Sequence, residues 1–101
     1  MLNHTMEELL RAITERRVVH FRYGGFLRVG EPHVLGMYRG AVQLLFYQTG
    51  GRSSSGQLPE WRRFNLSGIS RVSLEDQRFP GGRASPSGQH AKWDERFAFV
   101  P

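Results

Sequence analysis

The run AVQLLFYQ, residues 41 to 48, is apolar at odd and even positions alike. A strand sends alternate side chains to opposite faces, so this run has to be covered on both. It predicts a central strand with others on either side, and the flanking sequence supplies them. VVHFRY (18–23) alternates, with Val19, Phe21 and Tyr23 on one face and Val18, His20 and Arg22 on the other. Gly24-Gly25 suits a tight hairpin turn, FLRVG begins a second strand and HVLGMY resumes it. Pro32 has no amide proton to give a ladder, so Glu31-Pro32 marks an edge, a bulge or a bend. After the tight turn at Arg39-Gly40 comes the central run, and EWRRFNL (60–66) and SRVSLE (70–75) add two strands.

One helix precedes them, over 5–16. Thr5 and Glu8 have the spacing of a capping box, and Met6, Leu9, Leu10 and Ile13 form a single apolar stripe. Arg16 and Arg17 suit the negative end of the helix dipole. A helix with one stripe needs a sheet to lie on. The expected fold is therefore mainly β with one N-terminal helix, its five short strands forming a small barrel or a strongly bent sheet.

A chain of 101 residues holds one core, here assigned to residues 1–76. Residues 77–101 read as a linker, PGGRASPSGQH, followed by the aromatic tail AKWDERFAFV. Trp93, Phe97 and Phe99 are costly to leave in water, so residues 92–99 are expected to be ordered, as an added strand or a hydrophobic clasp. The tail docks either on its own domain or on a partner. Five strands can close a small barrel without a sixth, which makes a homodimer the expected setting.

Several function classes lack their residues. There is no cysteine, hence no disulfide, thiolate metal site or cysteine nucleophile. His4, His20, His33 and His90 show no HxxxH or HExxH spacing, and Glu31 with His33 supplies only two zinc ligands. SSSG (53–56) has no orienting base or nucleophile elbow. GGRSSSG lacks the Gly-Lys-Ser/Thr ending of a phosphate-binding loop. No catalytic residue, metal or cofactor is assigned, and the expectation is a non-enzymatic protein. No apolar run approaches the roughly 20 residues of a membrane span, and MLNHTMEELL lacks the order of a signal peptide. A cytoplasmic protein with no membrane partner is expected.

The net charge of +5 rests on thirteen arginines against one lysine, Lys92. The guanidinium fork suits phosphate or carboxylate and stacks on rings. The arginines are interleaved with aromatics, as in Arg22-Tyr23, Tyr38-Arg39 and Trp61-Arg62-Arg63-Phe64. Small barrels hold single-stranded nucleic acid by stacking bases on aromatics while cations follow the backbone. The same pattern also fits a core filled by Phe21, Phe46 and Phe64 under a surface of solvated arginines.

From about Ala12 to Leu74, the sequence AITERRVVHFRYGGFLRVGEPHVLGMYRGAVQLLFYQTGG, with WRRFNLSGI after it, resembles the WYL domain, a bacterial sensor module. The similarity is most specific at Tyr23, Arg28, Glu31-Pro32-His33, Leu35-Gly36 and Arg62-x-Phe64. It implies a five-stranded Sm-like or SH3-like barrel that senses a ligand, often nucleotide or nucleic acid, in transcription regulation. The name-giving Trp-Tyr-Leu reads Val42-Gln43-Leu44 here, and two arginines of a later motif are replaced by Asn65 and Gly68. With no helix-turn-helix, the expectation is a stand-alone domain working with a separately encoded regulator.

The resulting candidate ligand surface is Tyr23, Arg28, Tyr47, Arg62 and Phe64, with His33 at its margin. The anionic ligand would be a nucleotide or single-stranded nucleic acid. The alternative is a protein-interaction or dimerisation module without a nucleic-acid ligand. Convergence of Arg28 and Arg62 beside Tyr23 or Tyr47 favours binding. Pairing of each with a carboxylate such as Glu31 or Glu60 favours the alternative.

Overall fold

The computed structural model describes residues 3–52, 57–84 and 92–101. A helix, α1 (His4–Glu15), leads into β1 (Arg17–Tyr23), β2 (Phe26–Tyr38), β3 (Ala41–Gly51) and β4 (Glu60–Asn65). A 3-10 turn (Leu66–Gly68), β5 (Ser70–Arg78) and β6 (Glu95–Phe99) complete it. No helix among the described residues is long and apolar enough to cross a membrane.

The helix is capped two residues earlier than the capping-box spacing implies. Asn3 is the cap in place of Thr5, its side chain accepting from the Met6 amide at 2.7 Å. The carbonyl oxygen of the Asn3 side chain there satisfies one of the free helix donors. Arg16 ends the helix in the left-handed conformation, φ 55. Leu9, Ala12 and Ile13 are buried, while Met6 and Leu10 pack at the rim of the core. The stripe thus centres on Leu9 and takes in Ala12.

The strands form one antiparallel sheet in the order β4-β3-β2-β1-β5, with β6 added to β2. The Gly24-Gly25 turn, both residues at positive φ, closes the β1–β2 hairpin at Tyr23↔Phe26. β4 and β5 lie at opposite ends of this order but are joined only by the 3-10 turn. Four strand spacings of about 4.8 Å would set them about 19 Å apart in a flat sheet. A 3-10 turn rises only about 2 Å per residue, so the sheet has to curl. The ladders do not close a barrel, and none joins β4 to β5 among the described residues.

β2 does not stop at Glu31-Pro32. It runs through as one strand of 13 residues, with a register shift against β3 between Pro32 and Val34. His33 is the extra residue of that bulge. One edge of β2 serves two strands in turn: β1 pairs with it as far as Gly30, and β6 from Val34 onward. Pro32 falls in that interval, where a residue without an amide proton does least harm to the sheet.

The pairs Phe46↔Arg62, Leu44↔Phe64 and Leu35↔Leu44 share the face toward the main core. There Phe21, Phe46 and Phe64 pack ring on ring, with centroids 4.9 to 5.8 Å apart. The opposite face carries Val34 and Leu45, buried but outside that cluster. The C-terminal segment crosses there. Trp61 donates to the Ala84 carbonyl at 3.1 Å, Arg63 donates to the Lys92 carbonyl at 2.8 Å, and Trp93 lies against Arg63 at 4.0 Å. β6 then pairs with β2, close enough that a Cβ on Gly36 would sit 2.2 Å from the Glu95 carbonyl.

The expected added strand is therefore present, and its ladder is made inside its own chain with no second copy. The boundary placed after residue 76 falls within β5, and the segment beyond it contributes Phe79 and Val100 to the main core.

Candidate functional site

Tyr23 on β1, Arg28 on β2 and both Arg62 and Phe64 on β4 are brought to one place by the curl of the sheet. Arg28 stands opposite Phe21 on β1, and Phe64 opposite Leu44 on β3. The Arg28 side chain enters the sheet interior, leaving only 6% of the residue exposed. Its Nη1 donates to the Arg52 carbonyl at 3.1 Å and its Nη2 to the Tyr23 carbonyl at 3.3 Å. The guanidinium carbon lies 5.3 Å from the Phe64 ring, 5.5 Å from Phe26 and 5.9 Å from Tyr23. Ring faces attract a cation, which compensates part of its lost hydration. Burial, and then the nearby charge of Arg62, lower the pKa of Arg28. Among the described residues Arg28 joins no ion pair, whereas Arg62 bonds to Glu60.

His33 and Tyr47 are not part of this group. Tyr47 is paired with Glu31 on one side and Trp61 on the other, which places it on the opposite face of the sheet. His33 is wholly buried at the bulge, its Nε2 3.1 Å from Glu31 Oε1. The rings of Trp61 and Phe79 lie 4.8 and 5.1 Å from it. Arg83 forks onto Glu31 and covers the Tyr47 ring at 4.5 Å. Burial pushes the Glu31 carboxyl up, but hydrogen bonds from Arg83 and His33 outweigh it and hold the pKa below the ordinary range.

Glu31-Pro32-His33 is thus the seat of the C-terminal segment. Glu31 takes Arg83, the His33 carbonyl accepts from the Val100 amide at 2.8 Å, and Pro32 marks the gap between the strands on that edge.

The two charge patterns set against each other in the sequence are both present in part. Arg28 meets rings and carbonyls, Arg62 meets Glu60, and Glu31 is taken by Arg83. Residue-by-residue reading passed over Phe26, Arg52 and Arg83. Phe26 opens β2 and Arg52 follows the end of β3, and their proximity, 5.5 Å from ring to guanidinium, follows from the β2–β3 register. No group of three or more His, Asp or Glu among the described residues is placed to hold a metal ion. Comparison with protein-family models, with curated proteins and with solved structures finds no match to this chain.

Proposed function

We propose that this chain is a non-enzymatic binding module of the WYL-like type, built on a Sm-like or SH3-like barrel, that takes an anionic ligand in a regulatory role. A nucleotide or a single strand of nucleic acid is the ligand class. The observation that carries the reading is Arg28: a buried cation ringed by Tyr23, Phe26 and Phe64, facing a second cation, with no ion pair among the described residues. Burial and the neighbouring charge of Arg62 disfavour the Arg28 cation, and an anion beside it would relieve both. Aromatic rings in the same place offer stacking to a base. The curl that brings β4 toward β5 supports the barrel architecture.

The test is a titration with nucleotides and short single-stranded DNA and RNA at two salt concentrations. Arg28→Lys keeps a cation but loses the fork, and is expected to weaken binding. Arg62→Ala is expected to flatten the salt dependence by about 0.7 in log–log slope, one phosphate contact on a single strand. Affinity and slope unchanged in both variants would remove this site.

A second reading has its own observation. Phe97 and Phe99 on β6 remain 36% and 47% exposed, which suits a protein-interaction module using that strand. Light scattering on the wild type and on Phe97→Ser/Phe99→Ser separates the two, since only the interaction reading expects the mass to change.

A further inference from the structure

Of the thirteen arginines in the chain, eleven have a partner in the structure. Arg11, Arg17, Arg62 and Arg83 meet carboxylates. Arg16, Arg28, Arg63 and Arg78 donate to backbone carbonyls. Arg39, Arg52 and Arg96 lie over rings. Of these arginines, only Arg22 and Arg71 make no side-chain hydrogen bond, ion pair or ring contact among the described residues. These two line the same cleft, a hollow of about 380 Å³ shared with Tyr23, Gly24, Gly25, Gly68 and Ser70.

The backbone makes an effort to put them there. Against β1, the β5 register advances from Ser73↔His20 to Ser70↔Arg22, one residue more than β1 does. The bulge falls at Arg71, whose φ of 55 is left-handed. A bulge re-aims the side chain it carries, and an arginine holds that φ only at a cost that glycine would avoid. The result is that Arg71 and Arg22 carry like charges into one hollow with no carboxylate lining it. The Gly24-Gly25 turn leaves the hollow open, and Gly68 cannot carry a Cβ because the Tyr23 ring would be 2.6 Å away. Ser70 adds a hydroxyl that can donate.

We infer that this cleft is a phosphate seat, with Arg22 and Arg71 as the two forks and Ser70 as a neutral donor. Paired guanidinium forks match the oxygen geometry of phosphate. The inference rests on the anion-binding reading above and extends it, since Tyr23 borders both the cleft and the Arg28 cage. The phosphate is either free or terminal on a small molecule, or part of the backbone of a nucleic-acid strand.

The experiment is NMR of the arginine Nε–H groups, titrating the full chain with inorganic phosphate and separately with a short oligothymidylate. Arg22 and Arg71 are expected to shift and saturate, with the Ser70 amide following. Saturation by phosphate identifies the free or terminal group, and saturation by the oligonucleotide alone identifies a strand. Arg71→Gly keeps the bulge conformation while removing the cation, and Arg22→Gln changes an exposed position; each should weaken the response by about tenfold, the worth of a charge-assisted hydrogen bond. Shifts that grow linearly and equally at Arg11 and Arg78 would overturn the seat. Oligonucleotide binding weakened by Arg28→Lys, with the responses to phosphate and to oligonucleotide both untouched by Arg71→Gly, would overturn the seat and leave the wider reading standing. Phosphate saturation lost in Arg71→Gly, with no probe responding to Arg28→Lys, would do the reverse.

Discussion

Arg83 grips Glu31 across 52 residues of chain, with Nε 2.8 Å from Oε1 and Nη2 2.9 Å from Oε2. The two side chains differ in exposure, 43% for Arg83 and 7% for Glu31. The consequences of removing either are therefore unequal. Arg83→Ala strands a buried carboxylate with His33 as its remaining side-chain partner, and is expected to cost about 1–3 kcal/mol, less than a fully buried pair because Arg83 is half in water. Glu31→Gln leaves Arg83 free to hydrate and should cost less. Urea melts of both variants check the order. Equal and negligible losses would show that the contact holds nothing down.

The same pair sets a pH dependence. The Glu31 pKa is lower in the folded chain than the ordinary value, about 4.3 in model peptides. A depressed carboxylate pKa contributes stability above the unfolded value and loses it as pH falls through the folded one. The stability gap between wild type and Glu31→Gln should stay flat from neutral pH down to about 5, and close at lower pH. Urea melts at stepped pH measure it. A gap that widens in acid would contradict the assignment.

Much of this fold could be read from local pattern. The stripe of α1, the alternation of β1 and the doubly apolar run of β3 each announce a neighbour to be buried against. The destination of β6 could not be read. Trp93, Phe97 and Phe99 show that the tail is sticky, but the place it sticks is decided by Gly36, bare beneath Glu95, and by an edge of β2 that β1 leaves vacant. The candidate site divides for a similar reason. Tyr47 and Arg62 both look ligand-facing in sequence, yet β3 and β4 pair Phe46 with Arg62 and Tyr47 with Trp61, sending them to opposite faces. Register depends on partners far away in sequence. Arg71 was hidden because a bulge turns it, and the strand pattern around it gives no sign of one.

Gly36→Ala tests how the last strand is held. The new Cβ would press on the Glu95 backbone, which cannot yield as a flexible side chain can. Hydrogen exchange should show the Glu95–Phe99 amides losing protection while β1 and β5 keep theirs, as expected for a locally separable element. Uniform loss over the whole sheet would mean that β6 is integral to the core.

The helix offers a graded pair. Leu9 is fully buried and Leu10 only partly so. Leu9→Ala is expected to cost about 2–5 kcal/mol, as for a core leucine, and Leu10→Ala distinctly less. Denaturant midpoints of the two variants decide it, and a reversed order would mean that the helix is rotated on the sheet.

The interval at Pro32 has a mechanical meaning. The hydrogen bond from the Val100 amide to the His33 carbonyl sits at the end of the β6 ladder beside that gap, and the Pro101 carbonyl beyond it accepts from the Gly82 amide. A pull applied at Pro101 would load the bond from Gly82 first, then the one to His33, and then the ladder bond by bond, like a zipper. Because β1 is bonded only on the far side of the interval, the load would not pass directly into the β1–β2 hairpin. Stretched between its ends, the molecule should release its last segment in a separate low-force step, before the rest of the sheet yields.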